Sequence, residues 1–390
     1  MDKMQREVWH VYYGTRGRAG AYIHAVQEAC QQAHIRSRAF VSCRYRYDTW
    51  NVTKCFFPIT DAFQSRNLFV VAIRAIEFVL GYIFVLILSL FSHPRINLSL
   101  NDDTIVTLLF VKSCKLLKLP LDLTCHDVIA HNGTFSSRRQ SMVDLADRLI
   151  VHNDNARKTL RSILGEDSTS KIVQYPFPSA SDSSILSSRK MKRARDELTT
   201  QLNGRSTYIL FIGVVRQSKG IENLLDAFQL ISRKKDLGLV IAGKWSGTPA
   251  SLKERAVKLK HCILIDRYLT DDEFAAFIEG ATVVVLPYLD YTHSAVLPSC
   301  ADHKATVILS DIPMFREFLP NYSLFFEKGS VSSLANAIET AMDMDDSERM
   351  KCKEILYEFW VKQKALLVEG LLSAYGIRSV DLGSSPKTIV

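Results

Sequence analysis

FIGVVRQSKGIENLLDAF, residues 211–228, decides how this chain is read. An apolar, strand-like run ends in a glycine turn at Gly213. Arg216, Lys219 and Gly220 follow, and then Ile221, Leu224, Leu225 and Phe228 recur with the period of an amphipathic helix. A loop with two cations that feeds a helix N-terminus forms an anion site: the free N–H groups and helix dipole favour phosphate, arginine adds forked donors and lysine a mobile point charge. The same spacing also fits two surface cations on an ordinary βα loop. As ligands, both side chains should be in an open cleft.

The alternation continues outward on both sides. Downstream come strand-like LGLVIAG, CILID, TVVVLPY, ATVILSD and LFFEKG, separated by helical patterns at 250–258, 271–279 and near 295–302, with Val331–Met342 and 347–375 closing the chain. Thr270 and Glu273 have the spacing of a capping box. Upstream, VWHVYY, SRAFVSC, RINLSLN, LDLTC, RLIVHN and KIVQYPF alternate with helical patterns such as Ala21–Ala33 and Thr104–Leu117. Strands alternating with helices call for parallel sheets. A Ser-rich stretch and a basic helix at 178–204 break the alternation and read as a linker. The expected fold class is therefore α/β: two doubly wound Rossmann-like domains, with ligands at the carboxyl ends of strands. Residues 1–177 form the first domain and 205–375 the second, the last helix packing back on the first, with a tail at 376–390.

A chain of 390 residues, 47% hydrophobic and 23% charged, is long enough for two such cores. Its eight cysteines lack metal-ligand spacing and read as reduced thiols. The charged start, MDKMQREVWH, has no secretory h-region, so a cytoplasmic location is expected. The net charge of +8 resides in the first half, which carries +9 against −1 for residues 201–390. Such a face attracts anionic lipid or nucleic acid. The apolar segment 68–91, LFVVAIRAIEFVLGYIFVLILSLF, argues for lipid and against nucleic acid. Its uncharged run Phe78–Phe91 is 14 residues, short of the roughly 18 needed to span a bilayer. It is either an interfacial anchor or a buried core helix, and the surrounding arginines favour the anchor.

Five ordered matches, residues 211–228, LVIAGKW (239–245), DRYLTDDEFAAFIEGATVVVLPY (266–288), THSAVL (292–297) and VILSDIPMFREFL (307–319), resemble the GT-B glycosyltransferases of the family 4 group. The resemblance implies the GT-B fold, with its two domains facing each other across a cleft, and a nucleotide-sugar donor, UDP- or GDP-linked, bound to the second domain without a metal. It implies that Arg216 and Lys219 hold the donor diphosphate. Gly213, Gly243 and Lys244 would lie at the donor, Tyr268 and Leu269 beside the base, and Ser294, Ala295 and Val296 would offer N–H groups to phosphate. Family members that retain stereochemistry show two glutamates eight positions apart; here Asp290 and Pro298 stand there, so the second carboxylate is missing. Proline is tolerable in a first helical turn. The loop with Gly14 and Gly17 would approach donor or acceptor closely.

In the first half, Thr124, His126, Asp127 and His131 close the strand LDLTC. A carboxylate and histidines there could deprotonate an acceptor hydroxyl, or serve as a cap beside a structural histidine. The resemblance favours the former, with Asp127 as catalytic base and His126 orienting. Asp343-Met344-Asp345 matches a metal motif of another fold, but lies between two helices far from the strand ends, and no metal is predicted. The expected activity is transfer of a sugar from a nucleotide-sugar to a lipid-linked saccharide or polysaccharide acceptor, peripheral at the inner face of an anionic membrane. The alternative is a non-catalytic GT-B subunit that docks partners or membrane.

Overall fold

The computed structural model describes residues 6–14, 19–58, 68–100, 102–126, 128, 135–165, 170–178, 186–205, 207–231, 237–290 and 294–375. The chain divides into two units. One comprises Met1–Thr15, Ala19–Pro178 and Gln363–Val390, the other essentially Ser179–Lys362.

The first unit runs β1 (Val8–Tyr12), α1 (Ala19–Gln32), β2 (Ser37–Ser42), β3 (Val52–Phe56), α2 (Leu68–Ser92), β4 (Arg95–Ser99), α3 (Ile105–Leu116), β5 (Leu121–Thr124), α4 (Ser137–Leu145), β6 (Arg148–Val151), α5 (Asp154–Leu164) and β7 (Ile172–Gln174). The strands pair in parallel in the order β3-β2-β1-β4-β5-β6-β7. All five residues of β1 are buried, as expected for a strand covered by helices on both faces. β3 was not anticipated: VTKCF at the sheet edge has only its last two residues buried, so its apolar signal is weak.

The second unit runs α6 (Ser188–Gln201), β8 (Tyr208–Ile212), α7 (Ile221–Ile231), β9 (Gly238–Ala242), α8 (Ala250–Lys258), β10 (Cys262–Ile265), α9 (Asp271–Gly280), β11 (Val283–Leu286), α10 (Val296–Asp302), β12 (Val307–Ser310), α11 (Pro313–Phe318), β13 (Phe325–Phe326), α12 (Val331–Asp343) and α13 (Asp346–Tyr375). Its sheet is also parallel, ordered β10-β9-β8-β11-β12-β13. In both sheets the order reverses beside the first strand, at β1/β4 and β8/β11. In sheets of this kind, ligands bind outside the carboxyl ends of the strands at such a reversal.

Two segments differ from the sequence reading. The basic stretch at 188–201 is α6, which buries Ala194 and Leu198 in the core of the second unit and pairs Arg195 with Glu279 of α9 at 2.9 Å, so it is part of that unit rather than a linker. The apolar segment is one 25-residue helix, α2, continuing through Arg74 and Glu77. Residues Phe69–Ser92 are long and apolar enough to cross a membrane, yet only 22% of that stretch is buried, so one side of the helix packs on the core of the first unit and the other is exposed.

The end of α13 belongs to the first unit through a buried polar cluster. Thr124 donates to Asn97 Oδ1 (2.8 Å), and Asn97 Nδ2 donates to the Tyr375 hydroxyl (3.0 Å) and lies 3.3 Å from His10 Nδ1. Burial lowers the His10 pKa from 6.5 to about 4. The folded state thus binds the His10 proton more weakly than the unfolded chain, so this stability is complete above pH 6.5 and is lost as pH falls toward 4. Full loss amounts to about 3 kcal/mol. Melting temperatures recorded between pH 7 and 4 should fall accordingly, and His10→Asn should flatten that part of the slope.

Candidate active site

In the second unit most of the residues expected at the donor, Gly213, Arg216, Lys219, Gly243, Lys244, Asp290 and Ser294 to Val296, follow the carboxyl ends of β8, β9 and β11. After β8 the chain turns through Gly213 (φ 120°), forms a single 3-10 turn at Gln217–Lys219 and enters α7 through Gly220 (φ 64°). Neighbouring loops clasp this turn: Val215 N–H donates to Lys244 O and Ser246 N–H to Val215 O, each at 2.9 Å, and Leu289 N–H donates to Ser218 O at 2.8 Å. Two glycines here are dictated by space. A Cβ on Gly220 would collide with the Pro287 carbonyl oxygen, and one on Gly243 (φ 149°) with the Gly213 carbonyl oxygen. Gly220→Ala and Gly243→Ala should each cost more than about 2 kcal/mol, because a left-handed backbone and a clash with backbone add. Denaturant unfolding reads this directly; an unchanged midpoint for either variant would contradict the packing.

Lys219 departs from expectation. It is 6% exposed, with Nζ 3.4 Å from the centroid of the Tyr288 ring. The lysine is therefore no open-cleft side chain: its stem is buried and its charge rests on an aromatic face, worth up to about 2 kcal/mol when desolvated. Tyr288, missed by sequence reading, is itself fully buried, its carbonyl accepting from Ser310 Oγ at 2.7 Å. Arg216 is half-buried. Lys244 makes an ion pair with Asp266 at 3.3 Å, and Asp266 also pairs with Lys253 (2.6 Å) and accepts from Trp245 N–H (2.9 Å). Burial opposes ionisation of Asp266, but these partners outweigh it and hold its pKa at about 2.

Ser294 is buried, lies 3.5 Å from the Tyr288 hydroxyl and accepts from Leu297 N–H at 3.4 Å. Ala295 is the N-cap of α10 and Val296 its first residue, so Pro298 falls in the first turn, where its missing N–H leaves no intrahelical bond unmade. Gly213 is adjacent to Val296, whose Cγ2 would be 3.3 Å from a Cβ there. Asp290 is exposed on the loop after β11. Tyr268 is exposed and Leu269 packs on the core beside β10, two strands from β8; the Thr270–Glu273 capping box of α9 is present. Among the described residues no group of three His, Cys, Asp or Glu side chains could hold a metal.

In the first unit, a ring cluster forms at the carboxyl ends of β1, β5, β6 and β7. His126 lies edge-on to Tyr22 (4.4 Å between centroids) and 5.5 Å from His152, which is 5.2 Å from Phe177; Tyr12 stacks on Tyr22 at 5.8 Å. His152 Nδ1 is 3.2 Å from the Tyr175 carbonyl, which can only accept, so Nδ1 carries the proton and Nε2 faces the Tyr22 hydroxyl at 3.5 Å. Gly14, half-buried just after β1, has the Tyr12 ring where a side chain would go. Sequence reading found His126 but missed His152, although RLIVHN carries the same signal, a histidine directly after an apolar strand. Gly17, Asp127 and His131 lie outside the described residues.

Residues 206–344 match the family model for glycosyl transferases group 1. The serotype-specific mannosyltransferase WbdA of Escherichia coli is 23% identical over 246 residues, covering 59% of this chain and 29% of that protein. This chain thus spans less than a third of the length of the curated relatives it matches. Among solved structures, a glycosyltransferase from Rickettsia africae is similar with a TM-score of 0.67 at 12% identity, covering 95% of this chain and 98% of that one. Anabaena HepE in complex with UDP and glucose is similar with a TM-score of 0.65 at 11% identity, with coverages of 95% and 98%. At such identities these two likenesses bear on fold.

Proposed function

We propose that this chain, which has the GT-B fold and whose residues 206–344 match the family model for glycosyl transferases group 1, transfers one sugar from a nucleotide-sugar to a hydroxyl of a lipid-linked saccharide or polysaccharide acceptor at a membrane surface. The observation that carries this reading is the Gly213–Gly220 turn at the β8/β11 switch, with Lys219 seated on Tyr288. The bond between sugar and diphosphate breaks as the acceptor oxygen bonds to the anomeric carbon. Negative charge gathering on the leaving diphosphate is offset by Arg216, Lys219 and backbone N–H groups, with no metal needed. The acceptor proton passes to Asp127, next in sequence to His126, whose rings with Tyr22 and His152 supply a surface for a sugar. The exposed apolar helix α2 and the basic first half support a peripheral cytoplasmic location at the inner face of an anionic membrane.

Melting temperature in the presence of UDP, GDP and the free nucleosides tests the donor site, since a ligand that binds only the folded state raises it. Stabilisation by one nucleoside diphosphate and little by its nucleoside is the expected result; indifference to both diphosphates would refute the donor reading. Pro298 in place of a second carboxylate motivates the alternative of a non-catalytic subunit. Nucleoside diphosphate release with membrane extract as acceptor source discriminates the two.

A further inference from the structure

The proposed membrane location has a structural counterpart larger than the segment 68–91. We infer that α2 and α3 together form a face that lies in the plane of an anionic leaflet without crossing it, beside the acceptor-side ring cluster. The inference rests on the proposed function only for the acceptor; the face itself stands on the following geometry.

Topology excludes a crossing. α2 connects β3 to β4, two parallel strands of one sheet, so it starts at their carboxyl edge and returns to their amino edge. Its second half is fastened along one side to the domain. Phe78 packs on Tyr13 at 4.7 Å between centroids, Tyr82 stacks on Phe110 of α3 at 4.3 Å, and Val85 and Ser89 are fully buried. Gly81 leaves room for the Phe56 ring. A helix attached in this way cannot be surrounded by lipid. Its opposite side can still enter a leaflet to a depth of about 5–10 Å.

That opposite side is apolar throughout. Phe69, Ile76, Leu80, Ile83, Ile87 and Leu90 follow helical spacing and are exposed, Phe69 by 72% and Leu80 by 61%. α3, packed against α2, extends the face with Ile105, Leu109 and Leu116, the last 83% exposed. Soluble monomers seldom leave so long an apolar surface in water. Charge selects the occupant. Between Leu68 and Ser92 the only charges are Arg74 and Glu77, both half-buried, and between Ile105 and Leu117 only Lys112 and Lys115; Lys112 is exposed between Leu109 and Leu116 on the α3 face. In a two-fold dimer the same patch would meet itself, setting this cation against its own copy without a counter-charge. Anionic headgroups supply that counter-charge.

The face also has a direction. Phe78 touches Tyr13, which directly follows β1, so this part of α2 is at the carboxyl edge, where His126 and Tyr22 lie. Residues 68–77 extend farther to that side, because α2 runs back against the strands. A hydroxyl carried on a lipid headgroup is thereby delivered to the edge that bears the ring cluster.

The test uses the full chain and vesicles of phosphatidylcholine with or without phosphatidylglycerol. Wild type should sediment with the phosphatidylglycerol vesicles and be extracted by alkaline carbonate. The double variant Leu109→Glu, Leu116→Glu, which alters α3 alone and only exposed positions, should bind vesicles at least about tenfold more weakly. Its melting temperature and its stabilisation by nucleoside diphosphate should be unchanged. As a second measurement, an environment-sensitive fluorophore on Leu116→Cys in a Cys43→Ser background should shift to the blue on adding vesicles. Undiminished vesicle binding by the double variant, or no fluorophore shift, would overturn the role of α3. Resistance to carbonate would mean that the helix crosses, and a stable dimer that ignores vesicles would mean that the face meets a second copy. Loss of nucleotide stabilisation in the wild type would instead refute the donor reading and leave the vesicle result standing.

Discussion

Replacing both Arg216 and Lys219 by alanine should lower affinity for the nucleoside diphosphate roughly 100-fold or more while leaving affinity for the free nucleoside unchanged. A charge-assisted contact to phosphate is stronger than a neutral one, and each loss should cost about 1.5 to 3 kcal/mol. Charge grows on the diphosphate as the glycosidic bond breaks, so kcat should fall as well as affinity. The two positions should separate in stability. Arg216 is half-buried, and Arg216→Ala should leave folding nearly untouched, with Arg216→Lys rescuing only part of the binding because the forked geometry is gone. Lys219 is buried over Tyr288, so Lys219→Ala removes packing and a cation–π contact and should also lower the melting temperature. Binding must therefore be measured well below the melting transition. An unchanged diphosphate affinity in the folded double variant would dismiss the motif assignment.

Asp127→Asn should reduce turnover by about 100-fold to 10,000-fold, the usual worth of a general base, while donor binding stays near wild type. The amide keeps the shape of the side chain and loses only its capacity to take the acceptor proton. Calorimetric titration with nucleoside diphosphate, set beside initial rates of product formation, separates the two effects. Near wild-type turnover in the variant would place the base elsewhere or remove the need for one. A parallel loss of donor affinity would mark Asp127 as a binding residue. His152→Phe is the companion: it keeps a ring beside His126 but discards the Nδ1–H bond to the Tyr175 carbonyl, so an effect on acceptor KM that exceeds the effect on donor binding would assign the cluster to the acceptor.

The parallel strands, the helices between them and the position of the Gly213–Gly220 turn were legible in the sequence because each depends on neighbours a few residues apart. FIGVVRQSKG already displays the strand period, the glycine turn and the cations; Thr270 and Glu273 satisfy each other across three residues, and Pro298 is compatible with its helix because it is in the first turn. Environment was not legible. Lys219 reads as a solvent-facing cation until β11 folds beside β8 and sets Tyr288, 69 positions away, under its charge. His126, His152, Tyr22 and Phe177 are scattered over the first 177 residues and become one ring cluster only when parallel pairing aligns the carboxyl ends of β5, β6 and β7. The apolar helix at 68–92 has a composition that suits core and membrane equally. Its fastening by Tyr82 and Val85 on one side, with Leu80 left in water on the other, is a fact of packing. Periodicity and turn chemistry are short-range and written in order along the chain, so the sequence alone determined the two α/β units and the glycine-bounded turn between β8 and α7. Burial and ring contacts come from residues far apart in sequence, and only the tertiary structure decided which cation is buried, which rings meet and which face of α2 remains open.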